Sequence, residues 1–228
     1  MSHITQPPIS ITGKIKGVLF DLDGTLVDSA PDLGAAADKM RTDRGLESYP
    51  LEKYRALAGA GARGMLYIAF NMTPQDPQFE AMREEFFCNY EACMTQRTKP
   101  FANVADMLKA LDERQIPWGI VTNKMERFAL PLLEQSPWAK NARAHVGGDT
   151  TPHMKPHPAP VLEGAKQIQI APEHCLYVGD DLRDVQSGNA AGMYTAAATW
   201  GYLGENNDFN TWQADFVVHK PGDIIRLL

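Results

Sequence analysis

The stretch GVLFDLDGT, from Gly17 to Thr25, decides the fold of this chain of 228 residues. A short apolar run ends there abruptly in two carboxylates and a glycine, as a buried parallel strand does where it emerges at its carboxyl edge. In open α/β sheets, ligands bind outside the carboxyl ends of the strands. We therefore expect a strand that ends at Phe20 and a functional site that begins with Asp21 and Asp23.

Further apolar runs of strand length follow along the chain, with helical patterns between several of them. They cover residues 117–122, 175–178, 194–198 and 216–218. This alternation predicts an α/β fold built on a doubly wound, Rossmann-like parallel sheet. Polar residues that follow the runs are expected to converge on one crevice at the carboxyl edge of the sheet; they are Asp21, Asp23, Thr122, Asp180 and Asp184.

A helical block interrupts this alternation after the first strand. Helical spacing occurs in residues 31–44, 51–57, 64–70 and 78–96, and no strand pattern is found before residue 100. We predict that residues 29–100 form an inserted all-helical cap and that residues 1–28 and 101–228 form the α/β catalytic core. The insertion begins at the edge of the sheet where the site lies, so it can act as a lid that sets substrate specificity. Its hinges are expected near residues 27–32 and 99–104.

The composition limits the partners. The chain has 22 basic and 28 acidic residues, so its formal net charge is −6, which gives no electrostatic footprint for nucleic acid or an anionic membrane. No apolar window is long enough for a membrane span, and residues 1–16 lack the apolar core of a signal peptide. Three scattered cysteines indicate reduced thiols. We expect a cytoplasmic protein that acts on a small molecule, and we infer no protein partner.

The two aspartates of the first segment suit phosphoryl transfer. A carboxylate can attack phosphorus to form an aspartyl-phosphate, and Asp21, the first of the pair, is the candidate nucleophile. Asp23 would protonate the leaving alkoxide and later activate the water that cleaves the intermediate. In the alternative, the two carboxylates only cap a turn. That interpretation does not explain the hydroxyl, the lysine and the acidic cluster that follow along the chain.

Carboxylates beside a phosphate dianion require a hard divalent cation. Mg²⁺ suits a site of few carboxylates completed by substrate oxygen and water. We expect Asp21 and Asp180 to be direct ligands. Two interpretations stay open for Asp181, a supporting role at the metal and an N-cap carboxylate of the helix that follows.

Four motifs together resemble those of the haloacid dehalogenase superfamily of phosphatases. They are FDLDGTLVDS at residues 20–29, VTN at 121–123, KPHP at 155–158 and VGDDLRD at 178–184. Within that superfamily the chain is similar to the bacterial phosphoglycolate phosphatases. In GDDLRDVQSGNAAG, in WGYLGENND and in WQAD at residues 212–215 it is also similar to their relatives that dephosphorylate N-acetylmuramic acid 6-phosphate.

The resemblance implies a C1-type cap between the first two motifs and the roles already given to Asp21 and Asp23. It adds the backbone carbonyl of Asp23 as a ligand of Mg²⁺, and support of the metal by Asp184 or Asp181 through water or a second layer of contacts.

Three residues are expected to hold the phosphate. Thr122 offers a hydroxyl, followed by the backbone N–H groups of Asn123 and Lys124, although an ordinary helix cap would also explain this threonine. Lys155 supplies a positive charge that holds the phosphoryl group and keeps Asp21 ionised, the role that the resemblance gives to the lysine of the third motif. Lys124 competes for that role, but its neighbours favour a solvated helix face.

Substrate choice is expected to come from the cap. Arg63, in a loop of small residues, either pairs with a substrate carboxylate or is simply solvated. The motifs predict an Mg²⁺-dependent phosphomonoesterase for 2-phosphoglycolate or N-acetylmuramic acid 6-phosphate. The alternatives are a sugar-phosphate mutase, a phosphonate hydrolase with a Schiff base on Lys39 or Lys53, and a signalling or binding module switched by phosphorylation of Asp21.

Overall fold

The computed structural model describes residues 13–204 and 208–228. Most of the polar N-terminal lead, residues 1–12, and residues 205–207 of the WGYLGENND stretch lie outside the described residues. Within the described part of the chain, none of the helices has the length and apolar character that a membrane crossing requires.

A parallel sheet of six strands forms the centre of the described chain. Its strands pair in the order β5-β4-β1-β6-β7-β8, and an antiparallel pair, β2 with β3, lies apart from it. The strands are β1 (Gly17–Phe20), β2 (Val27–Asp28), β3 (Lys99–Pro100), β4 (Trp118–Val121), β5 (His145–Val146), β6 (Cys175–Gly179), β7 (Tyr194–Ala198) and β8 (Phe216–Val218). The chain winds from β1 to one edge and then to the other, so the predicted doubly wound α/β fold is confirmed.

Helices cover both faces of this sheet. The α-helices of the described chain are α1 (Ala30–Thr42), α2 (Leu51–Arg55), α3 (Gly61–Phe70), α4 (Phe79–Glu91), α5 (Val104–Glu113), α6 (Glu126–Glu134), α7 (Ala159–Ile168) and α8 (Leu182–Ala190), of which α5 packs on one face of the sheet and α7 on the other. Successive side chains of a strand point to opposite faces. Accordingly, Val18 and Phe20 pack in one core with Leu108 of α5, whereas Leu19 packs in another with Ala165 of α7.

The helices α1 to α4 form what we call the helical segment, residues 30–91. Its own apolar cluster includes Met40, Tyr54, Leu66 and Phe86, and extends to Phe128 and Tyr202 on the rest of the chain. These helices lie where helical spacing predicts them. The division into a catalytic core and a specificity cap stays a prediction.

Fixed contacts hold the chain where it enters the helical segment. The side chain of Ser29, the N-cap residue of α1, makes no capping hydrogen bond. Instead, the Tyr202 hydroxyl accepts hydrogen bonds from the backbone N–H groups of Ser29 (2.8 Å) and Ala30 (2.9 Å) and donates one to Asp28 Oδ1 (3.0 Å). A side chain from a distant loop thus satisfies the first donors of the helix.

Similar contacts hold the chain where it returns. The buried carboxylate of Asp32 accepts hydrogen bonds from the backbone N–H groups of Arg97 and Thr98. Beside them β2 pairs with β3, Val27 opposite Pro100. Both crossings therefore have a defined backbone path.

Candidate active site

Three neighbouring strands deliver the polar residues of the site. Asp21 follows β1, Thr122 follows β4 and Asp180 follows β6, and β1 pairs in parallel with both of the other strands. The chain reverses its direction of winding at β1, where a crevice opens at the carboxyl edge of a doubly wound sheet. The predicted convergence of these three side chains at one edge is therefore what the structure shows.

Gly24 allows the turn after β1 to pass very close to Asp180. Its φ is +92°, and a Cβ at this position would lie 2.2 Å from Asp180 Oδ2, so no other residue fits. The next residue, Thr25, donates from its hydroxyl to Asp180 Oδ1 at 2.8 Å, and the Tyr202 N–H donates to Oδ2 at 2.7 Å. The turn thereby fixes the orientation of this carboxylate.

A compact acidic group lies at the centre of the crevice. Asp21, Asp180 and Asp184 each offer one carboxylate oxygen, and these oxygens lie within 4.8 Å of one another. Asp21 is only 8% exposed, and the other two are less exposed still. Like charges at this distance repel strongly once water is excluded, so the group requires positive charge.

Lys155 supplies part of that charge. Its ammonium donates to Asp21 Oδ1 and Asp184 Oδ1, both at 2.7 Å, and to the hydroxyl of Tyr177 at 2.8 Å. The Tyr177 hydroxyl in turn donates to the carbonyl of Val121 at 2.8 Å. The loop of the third motif thus places a buried cation against the candidate nucleophile.

The positive charge of Lys155 does not balance the three carboxylates, and the pKa values of the group reflect this. Burial raises the pKa of Asp21 to about 6, although Lys155 acts in the opposite direction. Burial, and then the carboxylates of Asp21 and Asp184, raise the pKa of Asp180 well above its ordinary value. Burial lowers the pKa of Lys155, but Asp184 and Asp21 outweigh it and raise the pKa overall.

The donor set fits a hard divalent cation. Three carboxylates face one ammonium, and among the described residues Asp180 has only neutral hydrogen-bond partners, Thr25 and Tyr202. Oxygen donors of this kind, with uncompensated negative charge, are those that Mg²⁺ prefers. The structure therefore fits the expected magnesium site.

Asp23 lies in a different environment from Asp21. Its Oδ1 accepts a hydrogen bond of 2.5 Å from the Ser29 hydroxyl, and both of its oxygens lie 3.1 Å from Lys124 Nζ. Its side chain is not one of the three that form the acidic group. The two aspartates of the first motif thus have separate lysine partners.

The solvated helix face expected for Lys124 is wrong. Its side chain is only 6% exposed, because α6 begins two residues later and the lysine points inward to Asp23 and to the hydroxyl of Tyr90, at 2.7 Å. Burial lowers the pKa of Lys124, but Asp23 and Tyr90 raise it overall. Neither the partner on α4 nor the burial shows in the sequence around Lys124.

Thr122 and Asn123 connect the second motif to the third. Thr122 Oγ1 accepts from the Lys124 N–H at 3.1 Å, and among the described residues it donates to no acceptor, so its hydroxyl can donate to a ligand. The Asn123 side chain donates to the Lys155 carbonyl at 3.0 Å and accepts from the Lys155 N–H at 2.9 Å. Asn123 therefore holds the loop that carries the buried lysine.

For Asp181 the structure shows the N-cap geometry. Its carboxylate accepts the backbone N–H of Arg183 at 2.9 Å, and Asp184 Oδ2 accepts the N–H of Asp181 at 3.1 Å, which completes a capping box at α8. The Arg183 guanidinium also pairs with Asp181 at 2.8 Å. Asp184 thus does two things, since its other oxygen, Oδ1, accepts a hydrogen bond from Lys155 Nζ.

A cavity of about 650 Å³ lies over these residues, and the helical segment supplies much of its wall. Arg63 lines this cavity, whereas Lys39 and Lys53 are not among the described residues of its wall; a pair between Arg63 and a substrate carboxylate stays a prediction. Arg83 also lies in the wall, and its buried Nε has no hydrogen-bond partner among the described residues. The wall further includes aromatic residues that no local pattern marks as part of a site: Phe79, Phe86, Phe87, Tyr90 and Phe128.

Known proteins with similar sequences and folds complete the description. Residues 18–198 match the haloacid dehalogenase-like hydrolase family. A phosphoglycolate phosphatase of Xanthomonas campestris is 43% identical over 206 residues, which cover 90% of this chain and 93% of that protein. An N-acetylmuramic acid 6-phosphate phosphatase of Pseudomonas aeruginosa is 37% identical over 215 residues, which cover 94% of this chain and 95% of that protein.

A similar fold is found in a solved structure. The crystal structure of a predicted phosphoglycolate phosphatase from Haemophilus somnus superposes with a TM-score of 0.82 at 26% identity, covering 94% of this chain and 98% of that one.

Proposed function

The chain belongs to the haloacid dehalogenase-like hydrolase family, and from this premise we propose that it is an Mg²⁺-dependent phosphomonoesterase that acts through an aspartyl-phosphate on Asp21. One observation carries the proposal. A buried aspartate at the switch point of the sheet contacts a buried lysine at 2.7 Å and lies in a group of three carboxylates, beside a cavity. Such a site binds a phosphate ester through a cation and offers it a nucleophile.

The reaction follows from the roles of two side chains. The carboxylate of Asp21 attacks phosphorus, the bond from phosphorus to the ester oxygen breaks, and the leaving alkoxide takes a proton from Asp23. Asp23 then takes a proton from water, which attacks the aspartyl-phosphate. The bond between phosphorus and Asp21 breaks, so phosphate leaves and both aspartates return to their starting states.

The metal would be held by Asp21, Asp180 and the backbone carbonyl of Asp23, with Asp184 in support. When bound, Mg²⁺ neutralises charge on the phosphate and on the carboxylates. The N-cap geometry of Asp181 supports the capping interpretation over a metal role for that residue.

Three groups of the chain are proposed to hold the phosphate. Thr122 presents its hydroxyl to the cavity, Asn123 follows it with its backbone N–H, and Lys155 places an ammonium beside the nucleophile. Because Asn123 also holds the Lys155 loop through two hydrogen bonds, its loss would displace the lysine.

The substrate proposed first is 2-phosphoglycolate. It is supported by the relative of 43% identity, a phosphoglycolate phosphatase. Arg63 in the cavity wall would pair with the substrate carboxylate.

The second candidate is N-acetylmuramic acid 6-phosphate. A relative of 37% identity is a phosphatase for that ester, and the size of the cavity favours it. A volume of about 650 Å³ is within the range of about 300–1,000 Å³ of pockets that enclose drug-sized ligands, and 2-phosphoglycolate is smaller than such ligands. The aromatic wall would contact the acetamido and lactyl groups.

A panel assay tests this proposal. Phosphate release is measured from 2-phosphoglycolate, N-acetylmuramic acid 6-phosphate, hexose phosphates and nucleoside monophosphates, each with Mg²⁺ or with EDTA. We expect kcat/KM to be highest for one of the two carboxylate-bearing esters and activity to disappear with EDTA. Turnover that requires a bisphosphate activator would indicate the mutase, and phosphorylation without turnover would indicate the signalling module.

A further inference from the structure

Lys124 is a buried cation of the site that takes no part in the proposed reaction. Its buried ammonium lies 3.1 Å from each oxygen of Asp23, while the ammonium of Lys155 serves Asp21 and Asp184 instead. Ser29 holds Asp23 Oδ1 from the other side. With a donor to both of its oxygens, the Asp23 carboxylate is fixed in rotation as well as in place.

Tyr90 ties this lysine to the helical segment. Its hydroxyl accepts from Lys124 Nζ at 2.7 Å, and the ammonium also lies 4.7 Å from the centre of its ring. Tyr90 is 2% exposed, stacked on Phe86 at 6.0 Å and edge-on to Phe128 at 5.5 Å. The position of α4 therefore determines where the Tyr90 hydroxyl lies, and the hydroxyl in turn helps to fix the lysine.

We propose that Lys124 is the positioning residue for Asp23 and that Tyr90 makes this positioning depend on the packing of the helical segment against the core. The inference rests on the proposed function, because it takes Asp23 to be the base in the second half of the reaction. Lys124 acts through Asp23 and not on the transferring phosphoryl group, which already has Lys155.

The two halves of the reaction can be separated with 2,4-dinitrophenyl phosphate, whose leaving group departs without a proton. Attack by Asp21 is then independent of Asp23, whereas hydrolysis of the aspartyl-phosphate still needs Asp23 as base. Stopped-flow measurement of dinitrophenolate release resolves the first turnover from the steady state.

In Lys124→Met, which keeps an unbranched chain and removes the ammonium, we expect a burst stoichiometric with enzyme, at no less than the wild-type steady-state rate. The steady state after it is expected to be slower by about 100-fold, within the range of general base catalysis. Tyr90→Phe keeps the ring and loses one hydrogen bond, so we expect the same pattern with a decrease of about 2- to 10-fold. Circular dichroism establishes that each variant is folded.

Matched controls lie on exposed positions. Lys109→Met on α5 and Tyr67→Phe on α3 make the same chemical changes away from the cavity, and both are expected to behave as wild type. A burst that slows together with the steady state in Lys124→Met would show direct action on the phosphoryl group and overturn the proposal. An unchanged steady state in folded Lys124→Met and Tyr90→Phe would also overturn it. Failure of the proposed function is distinguishable, since the unmodified chain would then release neither phosphate nor dinitrophenolate.

Discussion

Asp180 and Asp181 are adjacent carboxylates with different partners, which makes them a matched pair. Asp180 belongs to the acidic group and has only neutral partners among the described residues, whereas Asp181 caps α8 and pairs with Arg183. The change to asparagine keeps the shape of both side chains and removes one negative charge from each.

We expect Asp180→Asn to weaken Mg²⁺ binding by about 100-fold or more, since even changes to the partners of metal ligands cost about 10- to 100-fold. Asp181→Asn is expected to keep Mg²⁺ affinity close to that of wild type, because asparagine also caps helices well. Isothermal titration calorimetry with Mg²⁺ measures both. Equal losses in the two variants would contradict the separation of roles.

At the scale of residues, the sequence predicts those site members whose position follows from the sheet alone. Asp21, Thr122 and Asp180 directly follow strands, and carboxyl ends of neighbouring parallel strands share one edge. Lys124 is different. Its burial depends on a contact with Tyr90, which lies on a helix distant in sequence. The spacing of residues in the sequence does not predict such a contact.

At the scale of elements, Asp38 links α1 to the loop and helix that follow. Its carboxylate accepts hydrogen bonds from the Ser48 hydroxyl (2.6 Å), the Tyr49 N–H (2.8 Å) and the Tyr54 hydroxyl (3.0 Å). Burial raises the pKa of Asp38, but these hydrogen bonds and Arg41 outweigh it, so the pKa is lowered overall.

The sign of the pH dependence follows. A carboxyl with a lower pKa in the folded than in the unfolded chain contributes stability that is fully present above its unfolded pKa, about 3.9. That stability is lost as the pH falls through the folded pKa. We expect Asp38→Asn to lower the free energy of unfolding by about 1 kcal/mol near neutral pH, and the difference from wild type to narrow below about pH 4.

Urea denaturation of both proteins across this pH range measures the difference. Asp106→Asn, an exposed position on α5, serves as the control and is expected to change stability by less than about 0.5 kcal/mol. A difference for Asp38→Asn that is independent of pH would show that the ionised carboxylate contributes nothing to the stability of this region.

Most elements are predictable because they are long enough to show a periodic pattern of apolar residues or a continuous apolar run. The helices α1 and α4 have three or more turns, and β1, β6 and β7 are continuous apolar runs. The strands β2, β3 and β5 have two residues each, too few for any alternation to appear. β2 and β3 form where the chain enters and leaves the helical segment, so their pairing depends on how that segment packs.

At the scale of the whole molecule, the acidic group makes stability depend on the cation. A ligand that binds only the folded state at 100 times its Kd stabilises by about 2.7 kcal/mol. Because about 1 kcal/mol shifts the Tm of a chain of this size by about 2–4 °C, saturating Mg²⁺ is expected to raise Tm by about 5–10 °C. Differential scanning calorimetry with Mg²⁺ and with EDTA measures the shift. Its absence in wild type would contradict a metal site in the crevice.

The order of the strands and the shape of the cavity are properties of the whole molecule. Alternating strands and helices predict a doubly wound sheet, but the apolar runs do not say which strand lies beside which. The cavity wall depends on contacts of α4 with Phe128 and of Tyr202 with the start of α1. These are tertiary contacts between segments that are distant in sequence, so no local sequence pattern predicts them.

Direct capture of the intermediate tests the central claim, that Asp21 carries the phosphoryl group. The protein is quenched in acid during turnover of 2-phosphoglycolate, or of whichever ester gives the highest kcat/KM in the panel, and its peptides are analysed by mass spectrometry. We predict one phosphoryl adduct, on the peptide that contains Asp21, and neither adduct nor phosphate release in folded Asp21→Asn. An adduct on another residue, or turnover by Asp21→Asn at the wild-type rate, would contradict the account.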